Sequence, residues 1–291
     1  MKTRRLPRFL CLNRPSPGIH VPVFEAGSTI PKLIHQIYFN FGRDLPSDLA
    51  TATATLRAKN PGWVYRLYDD HDISAFIQRA YGADMLRTYF KINEAYGAAR
   101  ADFFRYLLMY KCGGVYLDIK SSATPALDDI IQPGDRLILS QWSKSPRFEG
   151  AGIHDWELAD VIAGGEIQQW HIICAPGHPY LRHVIQNVIR NIRTYTPGLH
   201  PAGATGVLTV TGPIAYTLAL LPLLPQAQHR FVKSHEDLGL IYSIFDDNKQ
   251  HARLFTRDYK TLSAPVIHAT WPKRSLAALY RAFNTLREWR S

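Results

Sequence analysis

The chain of 291 residues is poor in cysteine, has no long apolar run and is short of acidic residues. Its three cysteines, Cys11, Cys112 and Cys174, lie far apart, and no CxxC or Cys/His ligand spacing occurs. That argues against a disulfide framework and against structural zinc, and favours a reducing compartment. No apolar run reaches the roughly 18 residues that a bilayer-spanning helix needs. In the basic amino terminus, the apolar stretch Phe9 to Leu12 is shorter than the core of about 7–15 residues expected of a signal peptide. Internal repeats and linkers are also lacking. These absences point to a soluble, cytoplasmic globular protein. The shortage of acid leaves a net charge of +10, with 34 Lys+Arg against 24 Asp+Glu. Such a balance attracts anions such as nucleotides, phosphorylated lipid headgroups or nucleic acid, although no nucleic-acid-binding motif accompanies it.

What is present is an alternation of strand and helix patterns. Residues 1–29 are rich in Pro, Gly and Arg and read as an irregular basic arm. A β-rich run over 30–39 opens a single domain extending to residue 291. Ser47 caps a helix over 47–59, Asn60-Pro61-Gly62 turns the chain, and 63–68 alternates as a second strand. Helices are predicted over 73–80 and 95–112, the latter stopped by Gly113-Gly114. A short strand over 115–119 follows, then strands over 137–141 and near Ile172, a helix over 179–193, a strand over 207–211 and a helix opening at Pro213. Strands and helices in this order give an α/β fold around a largely parallel sheet.

Alternation puts Val115, Leu117 and Ile119 on one face of the 115–119 strand, and Tyr116, Asp118 and Lys120 on the other. Open α/β sheets bind ligands at the carboxyl ends of their strands, where Asp118 and Lys120 fall. Two roles fit Asp118: a ligand contact, or a cap of the turn at Ser121-Ser122. On the preceding helix Asp102 and Arg105 share a face. They read either as binders of sugar hydroxyls and diphosphate, since a guanidinium matches phosphate bidentately, or as a plain intrahelical ion pair.

The segments IPKLIHQIYF (30–39), NPGWVYRLYDD (60–70), ARADFFRYLLMYKCGGVYLDIK (99–120), APGHP (175–179), TGP (211–213) and HATW (268–271) together resemble the DXD-containing glycosyltransferases of sequence family 32. The resemblance implies a GT-A-like, Rossmann-type nucleotide-binding sheet with helical insertions. It also implies transfer of a hexose, with retention, from a UDP- or GDP-linked sugar to a glycan or lipid-linked acceptor, as in bacterial surface polysaccharide synthesis. A protein-glycosylating effector and an inactive nucleotide-sugar or glycan-binding protein are the alternatives. By position, Ile37 and Tyr38 would flank the nucleotide base, Asp102 would hold ribose or sugar hydroxyls, Arg105 the sugar or diphosphate, Tyr116 would lie against the nucleotide-sugar, and Asp118 would be the first acid of DXD. Thr211, Gly212 and Trp271 are expected on the acceptor side.

One residue departs from that pattern: Lys120 stands where the second acid belongs. Three readings follow. Lys120 itself stabilises the diphosphate as a fixed cation; Mn²⁺ or Mg²⁺ binds through Asp118, His268 and the diphosphate; or the enzyme is inactive. The metal reading, motivated by His268 in HATW, is the working expectation. The charged and aromatic stretch Ser143 to Gln169 suits an acceptor sugar. A basic amphipathic pattern, Leu276 to Trp289, fits either packing on the domain or contact with the inner membrane face.

Overall fold

A computed structural model describes residues 20–39, 44–142, 164–245 and 261–268. The expected basic carboxyl-terminal helix, Trp271, residues 143–163 of the stretch Ser143 to Gln169 and residues 1–19 of the arm lie outside them. Strands run over Leu33–Ile37 (β1), Val64–Tyr68 (β2), Gly114–Leu117 (β3), Ser122–Ala123 (β4), Leu137–Gln141 (β5), His171–Cys174 (β6), Arg230–Ser234 (β7) and Leu240–Ile241 (β8). Helices span Ser47–Lys59 (α1), Asp70–Tyr81 (α2), Ala83–Tyr89 (α3), Gly97–Cys112 (α4), Leu127–Ile130 (α5), Pro179–Thr194 (α6), Gly203–Val210 (α7) and Pro213–Leu220 (α8). Six strands form one sheet in the order β2-β1-β3-β6-β5-β7, and β4 pairs with β8.

The fold is α/β, as expected, and its sheet is parallel except for one strand. β1 pairs in parallel with β2 and β3, and β5 with β7. β6 runs antiparallel to both its neighbours, β3 and β5. Period-two alternation divides the core. Tyr116, Leu137, Leu139, Ile172 and Cys174 enter the larger cluster under α2, α3, α4 and α6. Val115, Leu117, Ile138 and Ile173 enter a smaller one beside α1 and α5. Both faces of the sheet are therefore covered, as strands with near-continuous apolar sequence require.

Several local expectations need correction. Ser47 is the first residue of α1 rather than its cap; Pro46 holds the cap position, with no side-chain hydrogen bond. α2 starts at Asp70, earlier than expected, because Asp69 and Asp72 form a reciprocal capping box. The run expected as a strand over 207–211 is helical to Val210 (α7), with Thr211 at its C-cap: packing overrides its propensity, with Gly206 so tight against Pro201 O and Val266 that a Cβ would come within 2.6 Å of both. The stretch Gly203–Gln226 is apolar and long enough to cross a membrane by composition alone, contrary to the expectation that no such run exists. It is 67% buried and broken at Thr211-Gly212, so it serves as a core layer. Residues 20–29 lack regular structure yet are docked: Val21 is buried, and Gly27 N donates to Pro176 O at 2.9 Å.

Candidate functional site

The most buried helix carries the site. From Ala101 to Tyr110 every side chain of α4 is buried, Asp102 and Arg105 among them. The expected apolar stripe of Phe103, Phe104, Leu107 and Leu108 is thus part of a helix enclosed on all sides. A charge in such a place must be paired. Arg105 meets two carboxylates: Nη2 lies 3.0 Å from Asp102 Oδ1 and Nη1 lies 3.1 Å from Asp118 Oδ1. Nη1 also donates to the Gln169 carbonyl at 2.9 Å, and the guanidinium sits 4.8 Å from the centre of the Tyr116 ring. Burial alone would lower the Arg105 pKa, but Asp118, Tyr116 and Asp102 outweigh it and hold the guanidinium charged.

Asp102 is saturated. Its Oδ1 accepts from Gln169 Nε2 at 3.1 Å as well as from Arg105, and its Oδ2 accepts from Thr211 Oγ1 at 3.0 Å. Burial raises its pKa against the pull of Arg105, Gln169 and Thr211. Both oxygens already accept from groups of the protein, and the side chain is buried. Its geometry is that of a brace for Arg105.

Asp118 is the member open to solvent, with 24% of its side chain exposed against 5% for Arg105. Tyr116 Oη donates to its Oδ1 at 2.9 Å. Burial first, and the Asp118 carboxylate second among the upward causes, raise the Tyr116 pKa well above its ordinary value, so the phenol stays a donor. Asp118 Oδ2 has no partner among the described residues. Its backbone is fixed as well: Asp118 N donates to Trp170 O at 2.9 Å, and Gln36 Nε2 donates to Asp118 O at 3.0 Å.

The remaining predicted residues are distributed unevenly. Ile37 is buried in the core, while Tyr38 is half-buried at the same carboxyl-terminal sheet edge as Asp118, its N–H donating to Tyr68 O. Thr211 is fully buried on Asp102 rather than open to an acceptor, and Gly212 precedes α8 with no room for a side chain against Leu208. His268 Nε2 pairs with Glu94 Oε2 at 2.9 Å and its backbone N–H with Lys91 O; none of its described contacts joins it to Asp118. Lys120 does not share the Tyr116–Asp118 face. The strand ends at Leu117, and a turn closed by Ser121 N donating to Asp118 O at 2.8 Å carries Lys120 to Tyr242.

Two residues of the site have roles the sequence reading did not give them: Gln36, and Gln169, which was read only as the end of an acceptor-side stretch. Each is a buried amide whose bonds reach across the fold, so neither has a local spacing signal; the one hint for Gln36 is a polar residue inside an apolar strand. Among the described residues one group of metal-ligand type occurs, Asp69, His71 and Asp72 at the start of α2. The Asp69/Asp72 capping box accounts for it.

Residues 46–134 match the model of the glycosyltransferase sugar-binding region containing a DXD motif. Over that segment the chain is similar to the DXD-containing glycosyltransferases of the family 32 type. It is similar to the initiation-specific alpha-1,6-mannosyltransferase of Schizosaccharomyces pombe, with 28% identity covering 67% of this chain and 49% of that one. It is similar also to inositol phosphoceramide mannosyltransferase 3 of the same yeast, with 27% identity covering 56% and 38%. The chain thus spans about half or less of the length of these relatives. Among solved structures, the PaToxG glycosyltransferase superposes with a TM-score of 0.45 at 14% identity, over 84% of this chain and 83% of that one.

Proposed function

We propose that this protein transfers a hexose from a nucleotide-diphosphate sugar, UDP- or GDP-linked, to a glycan or lipid-linked acceptor of the kind used in surface polysaccharide assembly, with retention at the anomeric carbon. The observation that carries this reading is the buried chain Asp102–Arg105–Asp118, which fixes one carboxylate at the carboxyl-terminal edge of the sheet with a single oxygen turned to solvent. The mannosyltransferase names of the relatives support a mannose-type donor.

Asp118 Oδ2 accepts from a hydroxyl of the donor sugar. Arg105 acts as a positioning residue: it is committed to two carboxylates and two carbonyls, and holds Asp118 in place. Tyr38 lines the same edge beside the nucleotide. In the transfer, the bond from the anomeric carbon to the diphosphate oxygen breaks. The acceptor hydroxyl oxygen bonds to that carbon from the same face, and its proton passes to the departing phosphate oxygen. DXD-containing glycosyltransferases commonly use a divalent metal, which would supply positive charge to the leaving diphosphate.

A donor-hydrolysis and transfer screen over UDP- and GDP-sugars tests the reading. Asp118→Ala should lower turnover by about 10²-fold or more, the scale seen when a fixed electrostatic contact is removed. Unchanged turnover in that variant would sink the assignment. Binding of a nucleotide sugar with neither hydrolysis nor transfer would favour the inactive binding protein instead.

A further inference from the structure

Lys120 is only 8% exposed, and a lysine that deep ordinarily has a carboxylate beside it. Here there is none: Lys120 forms no ion pair among the described residues. Its Nζ donates to Tyr242 Oη at 2.8 Å and lies 4.0 Å from the centre of the same ring. Two of the three ammonium donors are left unmatched among the described residues. One hydroxyl and one cation–π contact leave its charge without a counter-ion among the described residues.

The holder is itself held. Ser121 Oγ donates to the Tyr242 carbonyl at 2.6 Å, and Lys120 O accepts from Ile244 N at 2.9 Å. Trp142 and Trp170 meet the Tyr242 ring edge-on, at centroid distances of 4.8 and 5.3 Å. Trp170 is also the residue whose carbonyl receives Asp118 N–H. Lys120 and Asp118 are thus fixed by the same turn and by the same neighbour.

The described residues at this edge do not fit a divalent cation. Asp118 Oδ1 is taken by Arg105 and Tyr116, Asp102 is saturated, and His268 belongs to Glu94. Among the described residues a metal would find one carboxylate oxygen. Charge leads to the same result. Asp102, Asp118, Arg105 and Lys120 sum to zero, whereas an acid at position 120 would leave two negative charges for a dication to balance.

We propose that Lys120, presented by Tyr242, is the cation that binds the donor's diphosphate, in place of a divalent metal. The inference rests on the donor-site reading above. Because Arg105 is spent on Asp102 and Asp118, the donors for phosphate oxygens fall to Lys120, whose turn begins at Asp118 and whose ammonium has donors unmatched among the described residues.

Titration calorimetry of the full chain with UDP and with GDP, each with Mn²⁺ and with excess EDTA, tests it. The wild type should bind one of the two with the same affinity in both conditions, within about twofold. Lys120→Met should lose about tenfold or more in EDTA, as for one lost hydrogen bond to a charged group, and Lys120→Arg should retain most of the affinity. Lys120→Asp should weaken binding in EDTA and recover it with Mn²⁺. Tyr242→Phe keeps the ring and removes the hydroxyl, and should give an intermediate loss with an unchanged melting temperature. A wild type that loses tenfold in EDTA, or a folded Lys120→Met that binds as the wild type does, overturns the inference and leaves the donor site standing. Failure of both nucleotides to bind the wild type in either condition overturns the donor site and this inference together.

Discussion

A single hydroxyl or amide decides how the charges of α4 are tolerated. Thr211→Val keeps the shape of the side chain but leaves Asp102 Oδ2 buried without its donor. The expected loss is about 1–3 kcal/mol, read from denaturant unfolding with an unchanged slope. Gln169→Leu removes the second neutral donor to Asp102 while the backbone bond to Arg105 survives; it should weaken nucleotide-sugar binding more than it lowers stability. Asp118→Ala leaves Arg105 still paired with Asp102, so its melting temperature should stay close to that of the wild type as activity falls. At this scale the sequence was legible where chemistry is local. Arg105, Tyr116 and Asp118 do converge, because the helix and the strand that carry them are adjacent in the chain. Lys120 was misplaced because strict alternation was extended past Leu117, where the strand has already ended. Thr211 and the two glutamines depend on contacts spanning the fold, which no spacing reveals.

Among the elements, β3 and its entry turn are the least forgiving. Gly113 and Gly114 have φ of 65° and 99°, in the region that side chains disfavour. A Cβ on Gly114 would fall 2.6 Å from Leu33 O, on the neighbouring β1. Gly114→Ala should therefore cost roughly 1–3 kcal/mol from backbone strain alone, with the steric clash in addition, and should lower the thermal midpoint measurably. The same pair of glycines made α4 and β3 easy to read, since a helix stop followed by a short apolar strand has few other meanings. α7 was misread for the opposite reason. Its Val and Thr residues favour strands when exposed on one face, but Gly206 lets the helix approach Pro201 and Val266 closely enough to be packed as a core layer.

For the molecule as a whole, buried histidines set the response to acid. Burial pushes His35 down to about 4, His171 to about 3 and His178 to about 4. Burial, aided by Arg66, holds His35 neutral against the pull of the Gly113 carbonyl, to which Nε2–H donates, while Nδ1 accepts from Tyr68 Oη. Unfolded histidines protonate near 6.5, so between pH 6.5 and about 4 the unfolded state binds protons that the folded state refuses. Stability should be complete above 6.5 and fall through that window, each histidine removing about 1.4 kcal/mol for every pH step of one below 6.5 until its folded value is reached. Urea midpoints measured from pH 7.5 to 4.5 check this, and a flat profile would contradict it. The reversed strand β6 bears on how the molecule is built. It is the seam between the parallel trio β2-β1-β3 and the pair β5-β7, and it joins residues as remote in the chain as Val115 and Ile173. Closing so long a loop is slow compared with forming helices. Gln169 and Trp170, which enter β6, are the ones that meet Arg105 and Asp118, so the Arg105–Asp118 cluster is not complete until that seam is stitched. During refolding from urea, recovery of nucleotide binding should lag well behind recovery of the helical circular-dichroism signal.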